Sequence, residues 1–263
     1  MEDCEVSEAQ AQLWGKPGLQ GSRIVTLQSD SGYPWVRVLS NPDVMPARPF
    51  LELGWMALEV LVRDVDRLAL QLADSPFEIY RPPTDLGAAA DIRAMQVVGP
   101  AGEVLYLTQV NAAVEPFDLP MAQCEVDRLF IPVSSCLRRD EALLVYKKLG
   151  ANRSWSFDTR INSVNKAHGL DASLQHPVAT VQLSSQSLVE IDQLGVAKSR
   201  PPTAGRLPAG IAMVSFVFDN IDNIGLKPVS PPQTLPGKLY GGQRVAVCRG
   251  AGGELIELIE AAR

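Results

Sequence analysis

Near the C-terminus the chain reads GGELIELIE over residues 252–260, and Glu257 is a carboxylate set inside an otherwise apolar strand. Side chains of a strand alternate between faces, so Leu255, Glu257 and Ile259 share one side while Ile256 and Leu258 share the other. An acid so placed stands either at the wet mouth of a sheet or inside a site. A second strand, SLVEIDQL at 187–194, carries Glu190 and Asp192 on one face. Burial raises the pKa of a carboxylate and a neighbouring acid raises it further, so two acids in unequal surroundings can divide the acid and base roles of proton transfer.

Other chemistries are restricted by composition. His168 and His176 are the only two histidines, so a three-His metal site cannot be built from one chain. Cys4, Cys124, Cys136 and Cys248 form no CxxC pair and no zinc-like spacing. With no signal-peptide pattern and no long apolar span, a reducing, cytoplasmic setting is expected, without membrane association. The net charge of −6 and the lack of a basic cluster argue against a nucleic-acid partner. GAGG at 250–253 looks like a phosphate loop but runs into a strand rather than a helix, so a hairpin turn explains it better. NRS at 152–154 matches a glycosylation acceptor and is read as inert.

The elements that must position these acids recur. RAMQVVGPAGEVLYL (93–107) lies on RVAVCRGAGGELIEL (244–258) without a gap, each a strand, a Gly-containing turn and a strand. Upstream, FEIYRPPTDL matches GLKPVSPPQTL, and ALEVLVRDVD (57–66) matches MVSFVFDNID (213–222), both strands running into an Asp-rich helix start. A third copy begins at DRLFIPVSSCLRRDEALLVYKKLG (127–150), with a helix whose apolar positions are Leu137, Ala142, Leu144, Val145 and Leu149. It continues through WSFDT, an inserted helix or lid (RINSVNKAHGLDASLQ), and the strands HPVATVQL and SLVEIDQL. SRIVTLQS and PWVRVLS read as the last strands of an incomplete first copy, without its initial strand and helix. SEAQAQLWG is the end of a helix or a loop. The expected organisation is an N-terminal pair of units over 1–110, a linker over 111–125 and a C-terminal pair over 126–263. SRPPTAGRLPAG (199–210) and SPPQTLPG (230–237) read as rigid connectors.

A β-α-β-β-β unit used in pairs and closing on a Gly turn and an ELIEL strand resembles the vicinal oxygen chelate superfamily, which includes glyoxalase I, extradiol dioxygenases and bleomycin-resistance proteins. RDVDRLALQL, GPAGEVLYL and GAGGELIEL carry the resemblance. It implies an α+β fold in which paired units form cupped, open mixed sheets, with a ligand in the cup and commonly a divalent metal. The metal-ligand places of the superfamily fall on Ala57, Arg128 and Met213 of the first strands and on Tyr106, Glu190 and Glu257 of the last strands. Alanine and methionine are poor ligands for a hard cation and arginine would repel one, so the usual set is missing.

On that resemblance the expected site is a C-terminal cup in which Glu257 and Glu190 act as acid and base and Arg128 clamps a carboxylate or enolate through its fork. Asp192, Met213, Ser215, Tyr240, Phe130 and His168 are the expected substrate contacts. The implied activity is isomerisation, epimerisation or elimination on a small carbonyl compound or organic acid, without a cofactor. The competing reading makes Arg128 a structural ion-pair partner of Glu190 or Glu257. Two further readings keep the fold: a metal-free ligand-binding or drug-sequestering protein, and a metal-dependent lyase or dioxygenase using Glu190, Glu257 and His176. A homodimer is a compatible assembly.

Overall fold

The structure, a computed structural model, describes residues 2–86, 91–183 and 186–262. Its first unit is a three-stranded antiparallel meander of β1 (Glu2–Glu5), β2 (Arg23–Gln28) and β3 (Pro34–Leu39), with the six-residue helix α1 (Glu8–Leu13) between β1 and β2. Ser7 caps α1, accepting a hydrogen bond from the amide of Gln10. β2 and β3 are the two strands read from SRIVTLQS and PWVRVLS, but the strand β1 and the helix α1 ahead of them correct the expectation that the first unit lacks its initial strand and helix.

The second unit comprises β4 (Gly54–Val62), α2 (Val65–Leu72), β5 (Glu78–Asp85), β6 (Ile92–Val98) and β7 (Val104–Val110). The Asp-rich start acts as read: the Asp64 side chain accepts from the amide of Arg67 at 2.9 Å. The third unit runs through β8 (Val126–Cys136), α3 (Arg139–Lys148), β9 (Arg153–Thr159), the inserted α4 (Asn162–His168), β10 (His176–Gln182) and β11 (Leu188–Gln193). In α3 the buried positions are Ala142 and Tyr146, followed by Leu149, whereas Leu137 and Leu144 face solvent. The fourth unit has β12 (Met213–Phe218), β13 (Gln233–Thr234), β14 (Arg244–Arg249) and β15 (Leu255–Glu260). Its expected helix is only a 3-10 turn, Ile221–Asn223. Gly225 and Pro228 follow at once and cannot propagate a helix.

Pairing differs from the expected division at 111–125. The second and third units, from opposite sides of that linker, form one eight-stranded mixed sheet in the order β5-β6-β7-β4-β8-β11-β10-β9. β4 lies parallel to β7 and antiparallel to β8. The fourth unit forms a sheet of order β12-β15-β14-β13 and faces the β1-β2-β3 meander. One cup is therefore built from the middle of the chain and the other from its two ends. A hydrophobic core containing Trp55, Met95, Tyr146 and Ile256 joins them, with partly buried residues of α2 and α3 packed against it.

The two matched hairpins share a device. The Gly99 amide donates to Glu103 O at 2.8 Å and the Gly250 amide to Glu254 O at 2.9 Å. Each glutamate side chain then accepts from an amide of its own turn, Ala101 in one and Gly252 in the other. GAGG is thus a hairpin turn. Glu254 also ties the halves together, accepting from Ser134 Oγ at 3.1 Å and from the Tyr146 hydroxyl at 3.3 Å.

Candidate functional site

In the eight-stranded sheet, Glu59 on β4 lies opposite Tyr106 on β7 and Ile131 on β8. Glu190 on β11 lies opposite Val133 and Thr180, and Asp192 opposite Ser135 and Val178. Ala57 also faces Val133, so strand alternation puts Ala57, Glu59, Tyr106, Glu190 and Asp192 on one face. That face is the inside of the cup. Glu59, Glu190 and Tyr106 keep part of their surface accessible, whereas Asp192 is buried.

Two segments cover this cup. The inserted α4 lies over one part: Val164, fully buried, packs with Ala57, Val104 and Val133, and Ser163 hydrogen-bonds Tyr106. Both histidines hold this cover in place. His168 Nε2 is 3.0 Å from the carbonyl of Phe50, and His176 Nε2 is 2.6 Å from Asn165 Oδ1. The linker covers another part, with Phe117, Leu119 and Ala122 packed against a cluster that includes Leu61, Phe130 and Leu188. Phe117 meets Trp155 edge-on at a centroid distance of 4.8 Å.

Among the described residues, no cation forms an ion pair with the acids of this cup. Burial, then the charge of Glu190, raises Glu59 to about 8 against a hydrogen bond from Thr108 at 2.7 Å. Burial raises Glu190 to about 7. Burial and the charge of Glu190 hold Asp192 well above the ordinary carboxylate range, and its Oδ1 is buried without a hydrogen-bond partner. Gln96 Oε1, on the strand opposite Tyr106, is buried and unpartnered too. Tyr106 is held neutral by burial and by Asp192, Glu190 and Glu59.

Glu257 belongs to the other cup. It is fully buried, and four donors converge on its two oxygens: Trp14 Nε1 at 3.0 Å and the Tyr240 hydroxyl at 2.9 Å on Oε1, and Ser215 Oγ at 2.6 Å and Arg37 Nη2 on Oε2. Arg37 also donates to the Tyr240 hydroxyl and lies over the rings of Trp14 and Tyr240. Burial alone would raise the pKa of Glu257, but Arg37 and the neutral donors outweigh it and hold the carboxyl below its usual value. This cup is filled by the protein itself, with Ala11, Leu13, Trp14 and Leu19 packed on Val245, Val247, Leu255 and Ile259.

The expected pair is therefore not brought together: Glu190 and Glu257 lie in different sheets. Asp192 shares the cup of Glu190, and Phe130 lies in the cluster under the linker. Ser215, Tyr240 and Met213 go with Glu257, Met213 packing half-buried against the α1 cluster. Arg128 meets neither acid. It stacks 4.8 Å over the Tyr33 ring, with Nη2 3.5 Å from Gln186 Oε1, and takes part in no ion pair among the described residues. His168 and His176 tether α4, so His176 does not join Glu190 and Glu257. Sequence reasoning missed Glu59, Arg37 and Trp14. Glu59 interrupts ALEVLV as Glu257 interrupts ELIEL, and Arg37 interrupts PWVRVL, so the signal used for Glu257 would have found both.

The donors do not fit the metal that the resemblance implies. Among the described residues no three His, Cys, Asp or Glu side chains are grouped so as to hold a metal ion. Ala57, Tyr106, Val133 and Ile131 occupy the central face beside Glu59 and Glu190.

No family model matches the sequence, and no curated protein matches it. Solved structures do. Glyoxalase I from Zea mays superposes with a TM-score of 0.57 at 15% identity, covering 91% of this chain and 78% of that one. Its V278E mutant gives a TM-score of 0.57 at 14% identity over the same shares. A proposed dioxygenase from Bacillus subtilis gives 0.52 at 8% identity, covering 92% of this chain and 74% of that one. The β-α-β-β-β units, their pairing into cupped mixed sheets and these neighbours agree: the chain has a glyoxalase-like fold.

Proposed function

We propose that the protein is an acid–base enzyme of the isomerase, epimerase or lyase type, acting in the cup of β4, β7, β8 and β11 on a small uncharged carbonyl compound. One observation supports this above the others: Glu59 and Glu190, both partly accessible, share one cup with no ion-pair partner among the described residues, and both bind protons near neutrality. Of such a pair, the carboxyl with the higher proton affinity donates while the other accepts. Glu59 is then the acid that protonates a carbonyl or enolate oxygen, and Glu190 the base that removes a proton from the adjacent carbon. Tyr106, neutral and held by Ser163, is a further hydrogen-bond donor. An organic anion is disfavoured, because Arg128 lies elsewhere and no ion pair among the described residues offsets the acids of the cup.

The test is proton exchange in deuterium oxide, followed by NMR at the α-carbon of a panel of uncharged ketones and aldehydes. Exchange by the wild type is expected to fall by roughly a hundredfold or more in both Glu59→Gln and Glu190→Gln, and to survive in Glu257→Gln. A compound that binds the cup yet neither exchanges nor isomerises would make the protein a ligand-binding member of the fold, with Trp155 and Phe117 as its aromatic wall.

A further inference from the structure

The end-built cup is not closed everywhere. Where α1 leaves it, a crevice of about 550 Å³ opens between the Gly turn of the last hairpin, the start of β4 and the proline-rich connector. Its wall mixes polar and apolar surface, with Trp55, Pro201, Pro208, Ile211 and Leu255 forming the apolar part. Three cations also line it: Lys16, just after α1, Arg200 in the connector, and Arg249 at the end of β14.

Arg200 is engaged. It donates to the carbonyls of Ile211 and Trp55, and its Nε is 3.8 Å from Glu52 Oε2, a carboxylate that Arg48 already binds at 2.9 Å. Lys16 and Arg249 have no such partners. Among the described residues neither takes part in an ion pair, and the Arg249 side chain donates one long hydrogen bond, 3.4 Å to the carbonyl of Gly253. Burial and the charge of Arg249 both lower the proton affinity of Lys16. The one carboxylate in the wall, Glu254, is turned to Ser134, Tyr146 and the Gly252 amide. Two like charges beside a partly apolar wall, with the nearest acid committed elsewhere, leave an uncompensated positive potential in a protein of net charge −6.

We infer that this crevice is a binding site for a small organic anion, whose carboxylate or phosphate lies between Lys16 and Arg249 and whose apolar body rests on the proline-lined wall. The geometry is independent of the acid cup: the site takes an anion where the cup repels one. Lysine supplies a point charge and arginine a planar fork, so either head group is accommodated.

The test uses the full chain and three probes of similar shape: phenyl phosphate, benzoate and neutral benzyl alcohol. Binding is followed by amide chemical shifts of Gly253, Thr203 and Gly205 at low ionic strength. At least one anion is expected to bind and move these signals, while benzyl alcohol does not. The ratio of phenyl phosphate to benzoate affinity tells which head group the site prefers. Lys16→Gln and Arg249→Gln are each expected to weaken binding roughly tenfold, whereas Lys147→Gln, on the outer helix α3, changes nothing. Both substituted side chains keep contact with solvent, and an unchanged spectrum elsewhere reports that the variants fold. Failure of both anions to shift these amides at 10 mM, on the order of a millimolar-weak ligand's range, would overturn the proposal. Equal binding of benzyl alcohol, or unchanged affinity in the Lys16→Gln/Arg249→Gln double variant, would do the same.

Discussion

Arg37 on β3 reaches across from the N-terminal meander to Glu257 on β15, and the two form the central ion pair of the cup built from the chain ends. The arginine side chain keeps 17% of its surface and the glutamate none. Every Glu257 oxygen is satisfied twice, with donors from the C-terminal cap of α1, β3, β12 and the loop before β14. Such saturation suits a carboxylate that holds elements together. It leaves no lone pair aimed at a substrate and keeps the group ionised at neutral pH.

Arg37→Met should therefore be costly, because it leaves Glu257 buried and uncompensated. Loss of one partner of a buried pair costs about 3–5 kcal/mol. The double variant Arg37→Met/Glu257→Gln should recover part of this. The sign of the pH dependence follows from the lowered pKa of Glu257. Its contribution is present above the unfolded value and is lost as pH falls through the folded one. Urea denaturation at pH 7 and pH 4 should show the wild type and Arg37→Met converging at the acidic end.

Glu59 should behave in the opposite way. Its proton affinity is higher folded than unfolded, so its contribution is greatest below the unfolded value of 4.5 and is lost as pH rises through about 8. Glu59→Gln removes the ionisation while keeping an acceptor for Thr108. It should match the wild type near pH 4 and exceed it by roughly 2–4 kcal/mol near pH 9. A variant no more stable than the wild type at pH 9 would show that Glu59 is not held protonated by its surroundings.

The lid over the acid cup offers a third test. Asn165→Ala removes the acceptor of His176 and the donor to the Leu174 carbonyl, leaving the buried His176 ring nitrogen without its partner and one tie of the segment after α4 broken. A loss of about 1–3 kcal/mol is expected, with faster amide exchange across 161–170 than across β10. Equal exchange in the two segments would mean that α4 opens only with the whole sheet.

Much of this was legible in the sequence because periodicity and turns are local. The ungapped match of RAMQVVGPAGEVLYL to RVAVCRGAGGELIEL located two hairpins, and the Asp64 cap marked the start of α2. The inserted helix was recognisable as a cover. Pairing was not legible: nothing in β4 or β8 says that they lie side by side, since each carries apolar residues on both faces and the linker between them is consistent with either arrangement. That one topological fact moved Glu190 away from Glu257 and toward Glu59. Arg128 misled for a related reason. An arginine at the start of a strand marks a position along it, not a face, and the irregular register between β4 and β8 carries it out to Tyr33.

The matched hairpins give a last prediction, because equivalent glycines should differ in what they tolerate. A Cβ on Gly99 would lie 1.9 Å from Glu103 Oε1, and a Cβ on Gly250 would lie 1.9 Å from Glu254 Oε1. Neither glycine needs a positive φ, so the clash with the glutamate decides the outcome. Glu103 is half-buried and bonded only within its own turn, so it can swing into water at a cost of about 1 kcal/mol, the worth of one hydrogen bond. Glu254 is 4% exposed and bonded to Ser134, Tyr146 and Gly252, so moving it breaks a buried network joining the two cups. Gly250→Ala should therefore cost about 2–4 kcal/mol in chemical denaturation, against about 1 kcal/mol for Gly99→Ala. Equal losses would mean that Glu254 relaxes as freely as Glu103 and that its buried bonds do not fasten the halves.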